Sequence, residues 1–405
     1  MINVIGLGYI GLPTALMLAS HGQQVVGTDC NRQTVDQLKQ GSATFDEPGL
    51  KELYQTARRS GIQFCEQCIK TDVYIIAVAT PYDPFSKKID ASYVCRAVED
   101  VLQVCQPESM IIIESTVSPS TMDRYVRPLL QQKAGGMNVH LVHAPERIIP
   151  GNMIYELEHN CRTIGADCLE IGQKAKRLYA SFCKGQIIVT DIRTAEMTKV
   201  VENTFRAVNI AFANELAKIC RYADLDVHEV IRICNMHPRV NILSPGPGVG
   251  GHCIAVDPWF LVGDYPSLTP VIRAAMEVNA SMPEFVLRRT EEVMRQCGVE
   301  DLSRVGLYGL TYKENIDDYR QSPALQLLQC QAQHLGHPLK VYDPYIQKTI
   351  VNNQYHHLDQ FLTDVDLVVV LVGHDEIVNN RHKLDQKIVL DTKQIFPDAK
   401  NIYRL

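Results

Sequence analysis

The stretch MINVIGLGYIG, residues 1–11, decides the fold of this chain. An apolar run predicts a strand, and Gly6, Gly8 and Gly11 follow it in the pattern GxGxxG before an apolar helical stretch. In such a unit the first glycine permits a tight turn, the second admits a pyrophosphate to the backbone, and the third lets helix and strand pack closely. The helix N-terminus favours the phosphate charge. The stretch therefore predicts a dinucleotide-binding Rossmann domain.

An acidic residue indicates which dinucleotide this domain binds preferentially. Asp29 ends the second predicted strand, residues 24–29, and lies 18 positions after Gly11. A carboxylate there accepts hydrogen bonds from the ribose hydroxyls and repels a 2′-phosphate, which favours NAD over NADP. Arg32 lies nearby and weakens this preference slightly, and we include it among the cofactor-binding residues.

The rest of the chain alternates between two kinds of pattern. Strands recur at residues 73–79, 110–114 and 139–144, with helices between them. This alternation predicts a doubly wound parallel sheet. From about residue 192 the pattern is helical, with stretches at 194–223, 226–236 and 269–297. Strands then resume at 305–310, 339–344, 366–372 and 387–392.

These patterns predict an α/β chain with two Rossmann-like parallel-sheet domains joined by a helical central domain with a long helix. The predicted domains span residues 1–192, 193–298 and 299–405. The long helix, 194–223, is too apolar to lie alone in water, so it predicts a dimerisation element and at least a homodimer.

Composition narrows the class of protein. The chain has 405 residues, 46% of them hydrophobic and 21% charged, and a net charge of −6, which argues against a nucleic-acid partner. Its 13 cysteines form no framework, which predicts reduced thiols. The CxxC pair Cys65 and Cys68 has no second pair, so we predict no metal.

No leader pattern and no apolar run of membrane-spanning length is present, so we expect a cytoplasmic protein without a membrane partner.

Cys253 lies in the glycine-rich segment PGPGVGGHCIAVDP, residues 245–258. Asp257 follows four positions later and comes within reach of the thiol if the segment turns helically. A cysteine beside a carboxylate is typical of a nucleophile with a base or orienting partner. A buried structural cysteine in a tight loop also explains the pattern. His252 precedes Cys253 directly, and because adjacent side chains usually point apart, we interpret His252 as structural.

The long helix carries a second candidate. Lys199 and Asn203 are four positions apart and therefore share one helix face, with Arg206 further along. Their neighbours are apolar, and a lysine near a buried face is paired or functional. A solvated polar face is the alternative. Further candidates follow strands: Thr80, Thr116 in ESTVSP, and Glu146 with Arg147 in HAPERI. The carboxyl ends of the strands line the ligand crevice of an open parallel sheet, although ordinary strand-to-helix turns occur there too.

The motifs together resemble the UDP-glucose/GDP-mannose dehydrogenase family along the whole chain. The resemblance is carried by GLGYIG, DEPGL (46–50), ESTV (114–117), APER (144–147), the Lys199–Asn203 helix, GVGGHC (248–253) with Asp257, GLTYKENIDDYRQSP (309–323) and VYDP (341–344). It implies NAD-dependent, four-electron oxidation of a UDP-sugar alcohol to a carboxylate. Cys253 would carry thiohemiacetal and thioester intermediates.

The resemblance also implies a role for each matching residue. Lys199 would act as acid/base or stabilise an oxyanion, Asp257 would position water, and Glu146 would assist thioester hydrolysis. Asn203 and Thr116 would hold water and substrate. The cofactor would contact Gly6, Gly8, Tyr9, Ile10, Gly11, Asp29, Arg32, Thr80, Thr116 and Arg320. The substrate would contact Glu146, Arg147, Lys199, Asn203, Arg206, Gly250 and Lys313, and Arg239 would reach the substrate of a neighbouring subunit.

The segments HPRVN and PGPGVGGHCIAVDPW look most like the branch that oxidises UDP-N-acetyl-D-mannosamine for surface polysaccharides. Val256 stands where UDP-glucose enzymes carry lysine, and His252 precedes the cysteine, and both differences favour an N-acetylhexosamine. UDP-N-acetylglucosamine and UDP-glucose remain alternatives. A two-electron hydroxyacid dehydrogenase and a non-catalytic NAD-binding regulator are more remote ones.

Overall fold

The computed structural model describes residues 1–334 and 339–405, except for the side chains of residues 333 and 334. The chain forms two compact units. The first comprises Met1–Glu202 and Trp259–Pro266, and the second comprises Asn203–Pro258 and Ser267–Leu405. The division into domains at 1–192, 193–298 and 299–405 remains a prediction.

The first unit is built on an eight-stranded sheet. Its strands are β1 Ile2–Ile5, β2 Val25–Thr28, β3 Gln63–Cys65, β4 Val73–Ile76, β5 Met110–Ile113, β6 His140–His143, β7 Arg162–Ala166 and β8 Ile187–Thr190. They lie in the order β3-β2-β1-β4-β5-β6-β7-β8. Its helices are α1 Gly11–Ser20, α2 Arg32–Lys39, α3 Leu50–Arg59, α4 Ser92–Leu102, α5 Arg127–Lys133, α6 Met153–His159 and α7 Leu169–Tyr179.

The predicted strands of this unit are confirmed within a few residues, because the central ones are almost wholly apolar and buried on both faces. One expectation needs correction: β6 and β7 pair antiparallel, while the other pairs are parallel. Sequence analysis did not predict β3, β7 or β8. β3 has only three residues and β7 begins with an arginine, so neither shows a continuous apolar run, and the apolar run of β8 is only three residues long.

The long helix, α8, spans Ile192–Tyr222 and confirms the helical pattern predicted for 194–223. It is followed by α9 Val227–Cys234, α10 Asp257–Asp264, α11 Pro270–Ala280 and α12 Met282–Cys297. The single helix expected over 269–297 is wrong, because the chain breaks at Ser281 between α11 and α12. Pro283 has no N–H to donate and its ring crowds the preceding turn, so it lies at the start of a new helix.

The second unit contains a six-stranded, wholly parallel sheet in the order β11-β10-β9-β12-β13-β14. Its strands are β9 Val305–Tyr308, β10 Lys340–Tyr342, β11 Gln354–Tyr355, β12 Leu367–Val370, β13 Ile388–Asp391 and β14 Ile402–Arg404. Its helices are α13 Pro323–His334, α14 Leu358–Asp364 and α15 Asp375–Asn379. The second Rossmann-like sheet is thereby confirmed, with β11 and β14 as unpredicted edge strands. None of the helices in the described ranges is both long enough and apolar enough to cross a membrane.

Candidate active site

The glycine turn between β1 and α1 has a separate physical reason for each glycine. Gly6 has φ +87°, and a Cβ there would lie 2.7 Å from the carbonyl oxygen of Ala77. A Cβ at Gly11 would collide with the carbonyl oxygen of Gly6. At Gly8 nothing lies within 4 Å of the Cβ position, so this backbone faces open space. The turn thus fits a pyrophosphate beside Gly8 at the N-terminus of α1.

The Asp29 carboxylate accepts hydrogen bonds from the backbone of the same turn and of the segment that follows β2. Its Oδ2 accepts a hydrogen bond from the Leu7 N–H at 2.8 Å, and its Oδ1 accepts one from the Asn31 N–H at 2.8 Å. An ionised carboxylate has about four lone-pair sites, so it still has capacity for ribose hydroxyls. The guanidinium of Arg32 lies 3.5 Å from an Asp36 oxygen and 4.0 Å from a Glu66 oxygen. These acidic neighbours offset its charge and favour NAD over a 2′-phosphorylated cofactor.

The remaining predicted cofactor contacts of this unit lie at the carboxyl edge of the sheet. Thr80 follows β4 and is buried, and Thr116 follows the neighbouring strand β5 and is half-buried. The two connections are joined because the Ser115 hydroxyl donates to the Val78 carbonyl oxygen at 2.7 Å. Ile10 is the N-cap residue of α1, and the Tyr9 ring stacks on Phe45 with centroids 4.3 Å apart. These positions suit a nucleotide crevice.

Glu146 follows β6 and is buried, with 7% of its surface exposed. Its Oε1 accepts a hydrogen bond from the Arg147 N–H at 2.7 Å, and its Oε2 forms an ion pair with the Arg162 guanidinium. Arg162 was not identified from the sequence. A buried carboxylate requires such a partner, but no local pattern indicates which cation supplies it.

The Arg147 side chain is engaged within the first unit. Its guanidinium donates to the Cys161 carbonyl oxygen at 2.7 Å, to Thr163 Oγ1 at 2.9 Å and to Glu202 Oε2 at 2.9 Å. These bonds link α8 to the region around β7. These hydrogen bonds give Arg147 a structural role in the first unit. Its predicted contact with the substrate remains a prediction.

The Cys253 segment turns helically, which is the condition under which Asp257 comes within reach of the thiol. The Cys253 carbonyl oxygen accepts hydrogen bonds from the Val256 N–H at 3.1 Å and the Asp257 N–H at 2.8 Å. The thiol-bearing residue is exposed, so the alternative of a buried structural cysteine is wrong. Asp257 is buried, and its Oδ2 accepts a hydrogen bond from Asn203 Nδ2 at 2.6 Å.

Lys199 lies one turn before Asn203 on α8. Their exposed fractions are 6% and 5%, so the alternative of a solvated face is wrong for both. A buried ammonium and a buried amide require partners, and the Asn203–Asp257 hydrogen bond supplies one of them. Arg206, the third member of the predicted face, is exposed.

The glycines before Cys253 allow close packing against another loop of the second unit. A Cβ at Gly250 would lie 2.6 Å from the Tyr312 Cβ, so no larger residue fits there. Gly251 has φ +80°, and its N–H donates to the Arg320 carbonyl oxygen at 2.9 Å. The structure therefore brings the Cys253 segment beside the loop that carries Lys313 and Arg320. The contact of Gly250 with the substrate remains a prediction.

The Lys313 loop is held by residues that sequence analysis missed. Asp343, which follows β10, accepts hydrogen bonds from the Leu310 N–H at 2.6 Å and the Thr311 N–H at 3.0 Å. Its position in VYDP, directly after a strand, was the available signal. His374 Nδ1 accepts from the Asn315 N–H at 2.9 Å, which fixes the other end of the loop.

The two remaining predicted arginines differ in their surroundings. The Arg320 guanidinium is paired with Asp318, with Nη2 2.6 Å from Oδ2, and its side chain is 45% exposed. Arg239 is exposed in the segment after α9. That segment is anchored because Asn209 Nδ2 donates to the Asn241 carbonyl oxygen at 2.9 Å.

The second cysteine of the CxxC pair is held as a thiol. Burial, with the charges of Asp100 and Cys65, raises the pKa of Cys68 to about 12, so its reactive thiolate is disfavoured. Within residues 1–334 and 339–405, no group of three or more His, Cys, Asp or Glu side chains could hold a metal ion.

Comparison with known proteins identifies the family. The NAD-binding domain of the UDP-glucose/GDP-mannose dehydrogenase family matches residues 1–183, its central domain matches 193–281, and its UDP-binding domain matches 306–404. The chain belongs to the UDP-glucose/GDP-mannose dehydrogenase family. It is accordingly an NAD-dependent nucleotide-sugar dehydrogenase.

Similar family members include a UDP-N-acetyl-D-mannosamine dehydrogenase of Methanococcus maripaludis, 41% identical over 97% of this chain and 92% of that protein. An NDP-N-acetyl-D-galactosaminuronic acid dehydrogenase of Ralstonia nicotianae is 39% identical over 99% and 97% of the two chains. The solved UDP-N-acetyl-mannosamine dehydrogenase Cap5O of Staphylococcus aureus is 39% identical, with a TM-score of 0.89 over 100% of this chain and 97% of that one.

Proposed function

We propose that this dehydrogenase oxidises UDP-N-acetyl-D-mannosamine to UDP-N-acetyl-D-mannosaminuronate for surface polysaccharide synthesis, with Cys253 as covalent nucleophile. The observation that carries the proposal is the exposed Cys253 one helical turn before the buried Asp257, whose carboxylate is held by Asn203. The similarity to Methanococcus and Staphylococcus proteins named for this sugar supports the choice of substrate.

The chemistry consists of two oxidations and one hydrolysis. The Gly6–Gly11 turn and Asp29 would hold NAD, which would supply the hydride acceptor for each oxidation. Lys199 takes the hydroxyl proton as the alcohol becomes an aldehyde, and its ammonium then stabilises the oxyanion that forms when the Cys253 thiolate adds. Loss of the second hydride leaves a thioester on Cys253.

Hydrolysis completes the reaction. Glu146 assists a water molecule that attacks the thioester carbonyl, and Asp257, Asn203 and Thr116 position water and substrate. The carbon–sulfur bond breaks, and the sulfur leaves as the thiolate that begins the next cycle. One alcohol and one water thus give one carboxylate, two hydrides and three protons, so the atoms and electrons balance.

The substrate proposal predicts a ranking of UDP-sugars. We expect kcat/KM to be highest for UDP-N-acetylmannosamine and at least about tenfold lower for UDP-N-acetylglucosamine and UDP-glucose, because polar groups built around one acetamido configuration lose their partners with another. The assay is initial rate against each sugar, with product analysis and two NADH counted per acid. A higher kcat/KM for either competitor would overturn the sugar assignment, and one NADH per product would overturn the four-electron reaction.

We also propose that the protein forms at least a homodimer through α8. Three apolar side chains of α8 recur at seven-residue spacing and are at least half exposed: Phe205, Phe212 and Ile219. Tyr222, near the end of the helix, is 96% exposed. Large aromatic and aliphatic side chains on one helix face require a partner surface, and a second copy of the chain supplies an identical one.

The dimer proposal predicts that Phe212→Glu yields a monomer at micromolar concentration, because a charge placed in a buried interface is costly. Light scattering measures the mass. Leu169→Glu, at a still more exposed apolar residue of α7, is the control and should leave the mass unchanged. A wild-type protein that is monomeric and fully active would contradict the proposal.

A cytoplasmic location remains a prediction. It is supported by the 13 cysteines, which are scattered along the sequence without a disulfide framework, as is typical of proteins in a reducing compartment.

A further inference from the structure

A cluster of buried polar side chains lies beneath the carboxyl edge of the first sheet. It comprises Arg162 of β7, Glu114 directly after β5, Glu146 after β6, Tyr179 of α7 and Thr14 of α1. All are at most 7% exposed. Five elements of one unit therefore meet at a single charged centre.

One guanidinium serves two carboxylates in this cluster. Arg162 Nη1 donates to Glu114 Oε1 at 3.0 Å, and Arg162 Nη2 pairs with Glu146 Oε2. The Tyr179 ring lies 4.1 Å from the guanidinium carbon. A single positive charge cannot neutralise two carboxylates in a site removed from water, so the second carboxylate favours its protonated form.

The two carboxylates differ in their remaining hydrogen bonds. Glu146 Oε1 accepts from the Arg147 N–H, whereas the buried Glu114 Oε2 faces only the Thr14 and Tyr179 hydroxyls and forms no hydrogen bond of good geometry among the described residues. The proton is therefore held more readily by Glu114. Burial raises the pKa of Glu114 to about 7, although Arg162 acts in the opposite direction.

The other groups that face Glu114 do not compete for this proton. Burial raises the pKa of Tyr179 well above its usual value, so its phenol stays neutral. Burial also raises the pKa of Cys183, which neighbours Arg162, and Thr14 does not titrate. Arg162 remains a cation throughout.

We propose that Glu114 is a positioning residue for thioester hydrolysis and acts on Glu146 through Arg162. The proposal rests on the function proposed above for Glu146. While Glu114 is protonated, Arg162 pairs with Glu146 alone and competes with the attacking water for its carboxylate. Once Glu114 ionises, the two carboxylates share Arg162, and Glu146 is freer to take the proton of that water.

The test is Glu114→Gln, whose amide oxygen still accepts from Arg162 but which cannot ionise. Hydrolysis is followed by trapping the acyl form of Cys253 and measuring its loss by intact mass from about pH 5.5 to about pH 9. We expect the wild-type hydrolysis rate to rise by about tenfold through neutral pH, because ionised Glu114 takes a share of Arg162 and frees Glu146 to accept the proton of the attacking water. The variant should stay at the low-pH rate, with KM for the UDP-sugar unchanged.

Glu196→Gln is the matched control. Glu196 is a second buried carboxylate whose pKa burial raises to about 7, but it is held by the Ser120 and Met122 N–H groups. Its variant should keep the rise in hydrolysis through neutral pH. A Glu114→Gln enzyme that keeps the wild-type rise would overturn the proposal and leave Glu114 as an anchor of the fold.

Two further measurements keep the outcome decisive. If Glu114→Gln does not fold, the infrared band of a buried protonated carboxyl in the wild type must titrate together with the hydrolysis rate. The absence of that band overturns the proposal.

Glu146→Gln tests the underlying function separately. Normal hydrolysis in that variant would refute the role of Glu146, whereas slow hydrolysis there with an unchanged Glu114→Gln profile refutes the present inference alone.

Discussion

Replacing Cys253 with serine is expected to lower formation of the uronic acid by at least about a thousandfold while NAD still binds. The serine hydroxyl is not ionised near neutral pH and cannot capture the aldehyde as a thiolate does. Because Cys253 is exposed, the substitution leaves no cavity in the core. Product acid and NADH are measured under saturating substrate, and NAD binding is measured by calorimetry.

Cys234→Ser is the matched control for this experiment. Cys234 is another exposed cysteine of the second unit, on α9, and its variant should turn over normally. Acid formation by Cys253→Ser at the wild-type rate would refute covalent catalysis. A loss shared equally by both variants would point to a general effect of thiol removal instead.

Asp257→Asn is expected to reduce kcat by at least about a hundredfold without unfolding the protein. The asparagine side-chain oxygen can still accept from Asn203 Nδ2, which donates to Asp257 Oδ2 at 2.6 Å, but the negative charge is gone. Asp257→Ala leaves the buried Asn203 amide without its partner and should also cost about 1–3 kcal/mol of unfolding free energy. Steady-state kinetics and urea denaturation separate the two effects.

The control for the charge change is Asp226→Asn. Asp226 caps α9 by accepting from the His228 N–H at 2.9 Å, and asparagine caps helices as well as aspartate does. Both the activity and the stability of this variant should match the wild type. If Asp257→Asn retains full activity while Asp257→Ala is destabilised, Asp257 only holds Asn203 in place.

The spacing of the candidate residues predicted part of their geometry, and burial and packing decided the rest. The i, i+4 spacing put Lys199 and Asn203 on one face of α8, but burial alone decided against a solvated face. The spacing of Cys253 and Asp257 allowed a helical turn, and the backbone hydrogen bonds confirm it. The glycines before Cys253 indicated a close approach of the backbone, while the structure identifies Tyr312 as the neighbour.

The sequence by itself determined the features that depend on neighbouring residues. The GLGYIG turn, the apolar central strands and the long helix α8 follow from local sterics, from side-chain periodicity and from the absence of glycine and proline. Only the tertiary structure decided the antiparallel pairing of β6 with β7 and the sharing of Arg162 by Glu114 and Glu146. These features join residues far apart in the chain. Their free energy depends on desolvation and on which charges meet, and no local pattern records either.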